Sequence, residues 1–217
     1  MKTIGLVNQK GGVGKTTLSI HVASGLRHLG HNVCLIDTDP QGSLRDWHGL
    51  AELDEVMPIF SADIKGLPNL VIQLAEKFDY AVIDGAPRSD RMASIVIRAC
   101  DAVLIPVGPS GLDAWACADI VEPIEVIQAK NAGKPVAGFI LNKVRKGTLL
   151  GKEIQESLRD YGIPILSSPC VQREIYAQSV SEGSTVLDSQ NKEARDEVLT
   201  LVKEIIEVVK HGHKETC

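Results

Sequence analysis

The run Gln9-Lys10-Gly11-Gly12-Val13-Gly14-Lys15-Thr16-Thr17 has the residue types and spacing needed to hold a row of phosphates. It stands between an apolar stretch over 3–7 and a helical pattern that begins near Lys15. A strand, a glycine-rich turn and a helix N-terminus in that order make a concave nest of backbone N–H groups, to which the helix dipole adds positive potential. Lys15 can reach β- and γ-phosphates, and the Thr16 hydroxyl can ligate Mg²⁺. The common phosphate-loop pattern has a glycine where this chain has Gln9, and Lys10 places a second ammonium at the start of the turn.

Phosphoryl transfer asks a protein for charge neutralisation, metal support and an aligned nucleophile. Asp84 closes the apolar run Ala81-Val82-Ile83-Asp84-Gly85, a position suited to supporting Mg²⁺ directly or through water. Gly85 can offer a backbone N–H to the γ-phosphate. In Asp37-Thr38-Asp39-Pro40-Gln41 two carboxylates stand two residues apart after another apolar run. In extended backbone both point to one side, where one can serve the metal shell and the other orient a water. Asp-Pro is also ordinary turn chemistry, and the two readings are compatible.

The elements that must position these residues follow from the periodicity. Short Val/Ile/Leu runs predict strands over 3–8, 32–37, 57–61, 80–84, 102–106, 136–141 and 163–166. Several are continuous rather than alternating, as expected of strands covered on both faces. Helical patterns cover 15–29, 43–50, 68–78, 89–99, 113–129, 148–161, 173–182 and 191–210. The alternation predicts one α/β domain over 1–210, a mostly parallel twisted sheet flanked by helices on both faces. Ligands of such sheets bind at the carboxyl ends of strands, where the loop, Asp37, Asp39 and Asp84 all fall. The wide apolar surface of 198–209 predicts a docked helix, and 211–217 reads as a polar, disordered tail.

A chain that is 44% hydrophobic and 24% charged has the balance of a soluble globular protein. Its net charge of −5 excludes bulk polycation behaviour, so nucleic-acid binding would need a local basic patch. The five cysteines are scattered without a C-x-x-C pair, which predicts neither a disulfide framework nor a metal cluster. With no leader pattern and no long apolar run, a cytoplasmic location is expected.

Taken together, Lys10 to Thr17, Asp37-Thr38-Asp39-Pro40-Gln41 and Val82-Ile83-Asp84-Gly85 resemble the deviant Walker A ATPases of the ParA/MinD type. The Asp-Pro-Gln ending looks like the ParA branch. The compact length, Trp47 and Ile105-Pro106-Val107-Gly108-Pro109-Ser110 resemble small ParF-like plasmid partition proteins. The resemblance is strong in the three nucleotide motifs and looser beyond Leu150. It implies a P-loop NTPase fold, ATP and Mg²⁺ as cofactors, and slow ATP hydrolysis. Lys10 matches the signature lysine that crosses a nucleotide-sandwich homodimer to the partner's phosphates. Asp39 matches the residue that positions hydrolytic water, with Asp37 its neighbour. Asn142 matches an adenine-recognising position. Pro106 and Pro109 match a segment near nucleotide and dimer interface, although Gly111 stands where another proline can occur.

The resemblance further implies nucleoid association through non-specific DNA and a small centromere-binding adaptor of the ParB/ParG kind. Beyond Val144 acidic residues outnumber basic ones, so a DNA face would have to be assembled in space, with Arg173, Lys192 and Arg195 as candidates. Because the sequence opens directly on the first strand, operator-specific repression by this chain alone is not expected. The leading expectation is a DNA-partition switch. The alternative is the same ATPase positioning a protein cargo. A MinD-like membrane regulator is disfavoured by Asp-Pro-Gln and by a last helix without an aromatic anchor, and no stable membrane association is expected.

Overall fold

The computed structural model describes residues 1–51, 57–145 and 150–211. Six strands form one sheet: β1 (Lys2–Leu6), β2 (Val33–Asp37), β3 (Ile59–Ser61), β4 (Tyr80–Asp84), β5 (Ala102–Val107) and β6 (Val136–Leu141). Their order is β3-β2-β4-β1-β5-β6, and every pairing is parallel. Parallel strands need crossovers, and helices supply them. β1 lies centrally, with Leu6 level with Asp84 on one side and with Leu104 on the other. Asp37 is level with Asp84 in turn. The register therefore brings the phosphate loop and both acidic strand ends to one edge of the sheet.

Alternation along each strand divides the core in two. Ile4, Leu6, Leu35, Val82 and Leu104 face one layer. It is built from α1 (Lys15–His28), α2 (Ser43–Leu50), α8 (Glu174–Ser181) and α9 (Lys192–His211). Cys34, Ile36, Ala81, Ile83, Val103 and Ile105 face the other. That layer holds α3 (Leu67–Leu74), α4 (Asp90–Ala99), α6 (Ala118–Lys130) and α7 (Leu150–Arg159). The short α5 (Gly111–Trp115) sits where β5 leaves the sheet.

The last helix docks as its apolar stripe predicts: Val198, Leu201, Val202, Ile205, Ile206 and Val209 are buried. Each buried aliphatic side chain contributes roughly 1.5–3 kcal/mol, so this face fixes α9. It lies close to α1, where a Cβ on Gly25 would come within 2.7 Å of Val202 Cγ2.

Two predicted elements differ from the structure. The strand expected over 163–166 is only an isolated bridge between Ile165 and Phe139. Pro164 and Pro169 have no N–H to extend the ladder. The helix expected over 113–129 is broken into α5 and α6. Tyr161 Oη donates to the carbonyls of Ala114 and Trp115 at the break, which gives those acceptors a partner outside the helix. The expected tail is described only to His211, and 212–217 lie outside the described residues.

His21 ties α1 to the second half of the chain. Its Nδ1–H donates to the Thr17 carbonyl (2.7 Å), and its Nε2 accepts from Val186 N–H (3.2 Å). The ring also meets Tyr176 edge-on at 5.1 Å. Both nitrogens are engaged in the neutral form, and burial lowers the pKa to about 4. Because the folded value lies below the ordinary 6.5, this stability is complete above that pH and is lost as pH falls toward 4. The parent should therefore lose about 2 kcal/mol more than His21→Gln between pH 7 and pH 5. Urea unfolding of both proteins at each pH checks the difference.

Candidate functional site

The turn between β1 and α1 is held open by backbone geometry that only glycine adopts without strain. Gly12 has φ 77° and Gly14 φ 95°. Among the described residues, none of the backbone N–H groups of Gly11 through Thr16 donates to a protein acceptor. These donors sit at the N-terminus of a 14-residue helix, an arrangement that favours an anion. The loop is braced from β6. Asn142 Nδ2 donates to the Val13 carbonyl (2.7 Å) and Lys143 Nζ to the Gly12 carbonyl (2.8 Å). A side chain on Gly14 would run into the Asn142 amide.

Lys15 is buried, and its ammonium donates to the Lys10 carbonyl at 3.0 Å. Burial lowers its pKa, against the attraction of Asp84 and Asp39. Among the described residues no carboxylate forms an ion pair with it, and an ammonium so placed inside a ring of N–H donors is a strong attractor for phosphate oxygens.

Asp84 forms the second part of the site. Thr16 Oγ1 donates to its Oδ2 (2.7 Å) and Ser19 Oγ to its Oδ1 (2.9 Å). Thr38 Oγ1 donates to its backbone carbonyl at 2.6 Å. Burial pushes the Asp84 pKa up to about 6, while the two hydroxyls pull it down. A hydroxyl beside a carboxylate, close to where phosphate oxygens would lie, is an oxygen donor set that fits Mg²⁺. Among the described residues, no group of three or more His, Cys, Asp or Glu side chains is placed to hold a metal by itself. A cation here would draw further ligands from phosphate and water.

The acidic pair divides rather than staying together. Asp37 is buried, with Oδ1 accepting from the Asp39 amide (2.9 Å) and Oδ2 lying 3.6 Å from Arg45 Nε. Burial raises its pKa. Asp39 is half-buried, accepts from the Gln41 amide at 3.0 Å, and lies within electrostatic reach of Lys15.

Lys10 stands at the mouth of the loop. Its Nζ lies 2.5 Å from Asp113 Oδ1, whose other oxygen accepts from Ser110 Oγ (2.6 Å). Burial opposes the charge on Asp113, but the bonds from Lys10 and Ser110 hold its carboxyl below the usual range. Gly108 leaves room for that carboxylate, since an added Cβ would lie 2.6 Å from Asp113 Oδ2. Pro106 is buried in β5 and its carbonyl accepts from Asn8 Nδ2 (2.8 Å). Pro109 is half-buried just before α5. On that helix Leu112 and Trp115 are 66% and 69% exposed, an apolar face next to Lys10's anchor.

Two expected roles are corrected. The Gly85 amide is not directed at the loop, because it donates to the Leu6 carbonyl at 3.0 Å. Gly85 lets β4 end tightly against β1, where a Cβ would come within 2.6 Å of that same oxygen. Arg173 is not a free cation at the surface. Its side chain is 20% exposed, and the guanidinium pairs with Glu193 (3.0 Å) and Glu197 (3.7 Å) of α9. It lines a cavity of about 550 Å³ that also touches Gly14, Thr17, Leu18, Asn142 and Tyr176. Lys192 is exposed at the start of α9 and Arg195 half-buried one turn on.

Sequence reading missed Ser19, Asn8, Lys143 and Asp113. Ser19 had a usable signal, since it follows Thr16 by three residues on one helix face. The others act across 98 to 131 residues of chain or within a loop, and only the fold brings them to the site.

The chain matches the family model of the CobQ/CobB/MinD/ParA nucleotide binding domain over residues 4–186. It is 34% identical over 210 residues to the maintenance of carboxysome distribution protein A of Halothiobacillus neapolitanus, covering 94% of this chain and 96% of that protein. Identity to protein ParA of Rhizobium radiobacter is 28% over 201 residues, covering 89% and 88%. The septum site-determining protein MinD from Pyrococcus horikoshii, solved with Mg-ADP, shares the fold. Its TM-score is 0.72 at 18% identity, covering 98% of this chain and 99% of that one. With the phosphate loop, the parallel sheet and the family model in agreement, this chain belongs to the CobQ/CobB/MinD/ParA nucleotide-binding family as an ATPase of its ParA/MinD division.

Proposed function

We propose that the protein is an ATP-driven positioning switch that closes as a nucleotide-sandwich homodimer, binds DNA without sequence preference and hydrolyses ATP slowly. The observation that carries this reading is Lys10. It sits at the loop mouth, beyond the ring of N–H donors, and its contact with Asp113 can be exchanged for a second subunit's phosphates. The 34% identity to a carboxysome distribution protein favours a protein assembly as cargo. The ParA relative supports plasmid or chromosomal DNA as the second reading, with a ParB/ParG-like adaptor as its trigger.

In this reading the amides of Gly11 to Thr16 and the Lys15 ammonium bind the phosphates. Thr17 closes the first helical turn, and Asn142 backs the loop towards the adenine side. Thr16 and Asp84 hold Mg²⁺, which supplies charge neutralisation at the phosphates. Asp39, less buried than Asp37, orients the attacking water, while Asp37 fixes the backbone of that turn through the Asp39 amide. Lys10 leaves Asp113 and stabilises charge on the transferring group only when two chains meet. Pro106 and Pro109 set where α5, with Leu112 and Trp115, faces the partner. Lys192 and Arg195 contribute to a phosphate-binding surface. No described helix is long and apolar enough to cross a membrane, and DNA rather than lipid is the proposed surface.

Lys10→Ala should still bind MgATP yet fail to dimerise, with turnover reduced about 10²–10³-fold. Light scattering and phosphate release measure the two effects, and a variant that pairs and turns over like the parent would refute the sandwich. Asp39→Ala should keep ATP-dependent pairing while losing hydrolysis, so its dimer should outlive the parent's in a washout experiment. DNA affinity should appear only with MgATP and fall with salt at a log–log slope of about 0.9 per phosphate contacted. Lys192→Ala with Arg195→Ala should lower that slope, and binding that persists unchanged in their absence would move the DNA face elsewhere.

A further inference from the structure

The cavity beside Thr17 and Asn142 has a wall made by the segment before and at the start of α8, lined by Val171, Gln172, Arg173, Glu174 and Tyr176. Three of those residues converge on one carboxylate that is itself outside the cavity lining. Glu197 of α9 accepts from the Val171 amide at 2.8 Å and from Tyr176 Oη at 2.7 Å, both on Oε1. Its Oε2 lies 3.7 Å from Arg173 Nη2. The Glu197 side chain is only 12% exposed, so these charge-assisted contacts act in a poorly screened setting.

The same helix holds the same loop a second time, farther along. Glu204 accepts from the Ser167 amide (2.6 Å) and hydroxyl (2.9 Å), and from the Ser168 amide (2.9 Å). Glu197 and Glu204 are seven residues apart, roughly two turns on one face. The loop is therefore pinned at two points, of which only the Glu197 point abuts the cavity.

We propose that Glu197 is a positioning residue for the nucleoside: it fixes the wall that packs on the base and ribose and so sets affinity for nucleotide over bare phosphate. This rests on the cavity being the nucleoside end of the proposed ATP site. The lining supports that assignment, because it includes Gly14, Thr17 and Leu18 of the phosphate loop and its helix but neither Lys10 nor Asp113. Removing the Glu197 charge weakens the hydrogen bonds it accepts from the Val171 amide and the Tyr176 hydroxyl and ends its ion pair with Arg173, which keeps Glu193 at 3.0 Å. It leaves the phosphate-binding N–H groups untouched.

The test is calorimetric titration of the full chain with MgATP, MgADP and inorganic tripolyphosphate. Glu197→Gln should weaken both nucleotides about tenfold and leave tripolyphosphate within about twofold of the parent. Tyr176→Phe keeps the ring, removes one contact to the carboxylate, and should weaken nucleotide by about threefold in the same selective way. Glu204→Gln should lower unfolding stability while leaving all three ligands unchanged. Unaltered nucleotide affinity in Glu197→Gln and Tyr176→Phe would overturn the assignment. So would an equal loss for tripolyphosphate, or the same selectivity change in Glu204→Gln. A parent that binds MgATP no better than tripolyphosphate would instead remove the nucleoside reading of the cavity.

Discussion

A carboxylate at the end of a strand in the middle of a parallel sheet is costly to ionise unless donors surround it. Asp84 is that group, and the site is built around meeting its needs. Thr16 and Ser19 donate to its two oxygens from successive turns of α1, and Thr38 donates to its backbone carbonyl from the end of β2. These bonds orient the phosphate-loop helix against β4 and β2 at once. Burial still holds the pKa near 6, so the corner remains short of positive charge. A dication beside Thr16 would meet that need, which is why metal and phosphate binding belong to one cradle.

From this corner α1 passes the constraint onward. Its first turn carries the anion-facing donors, its middle places His21 between the Thr17 carbonyl and Val186, and its later part meets α9 at Gly25. Tyr176 joins the same chain of contacts, touching His21 on one side and Glu197 on the other. The loop, the cavity wall and the last helix are thus parts of one packed layer. In the proposed cycle this gives nucleotide occupancy a physical route to α9, which carries Lys192 and Arg195.

The opposite side of the loop is built differently. Asn8 ties the turn to Pro106, and Asp113 holds Lys10 in a part-exposed ion pair. A charge pair at a loop mouth is only partly desolvated, so its loss costs less than breaking the Asp84 corner. In the proposed function, a rigid cradle and a lysine that leaves Asp113 would suit a switch, in which ligand is kept while the partner is changed.

Much of this was legible in the chain itself. Apolar runs marked all six strands to within two residues at either end, and the phosphate-loop, Asp37-to-Gln41 and Asp84 motifs marked one end of the sheet. The 163–166 run showed strand-like composition, but neighbouring prolines limited it to a bridge. The 113–129 pattern was helical by period, and the carbonyls at its break find a donor in a tyrosine about 46 residues away. Composition cannot say that Arg173 turns inward to Glu193 and Glu197, nor that the Gly85 amide belongs to Leu6. By itself the sequence determined the local chemistry: which turn can curl around an anion, which residues carry charge, and which faces are apolar. Only the tertiary structure decided the partners, because a side chain's role is set by the group it meets across the fold. Strand order and helix docking choose that group over distances that local periodicity does not encode.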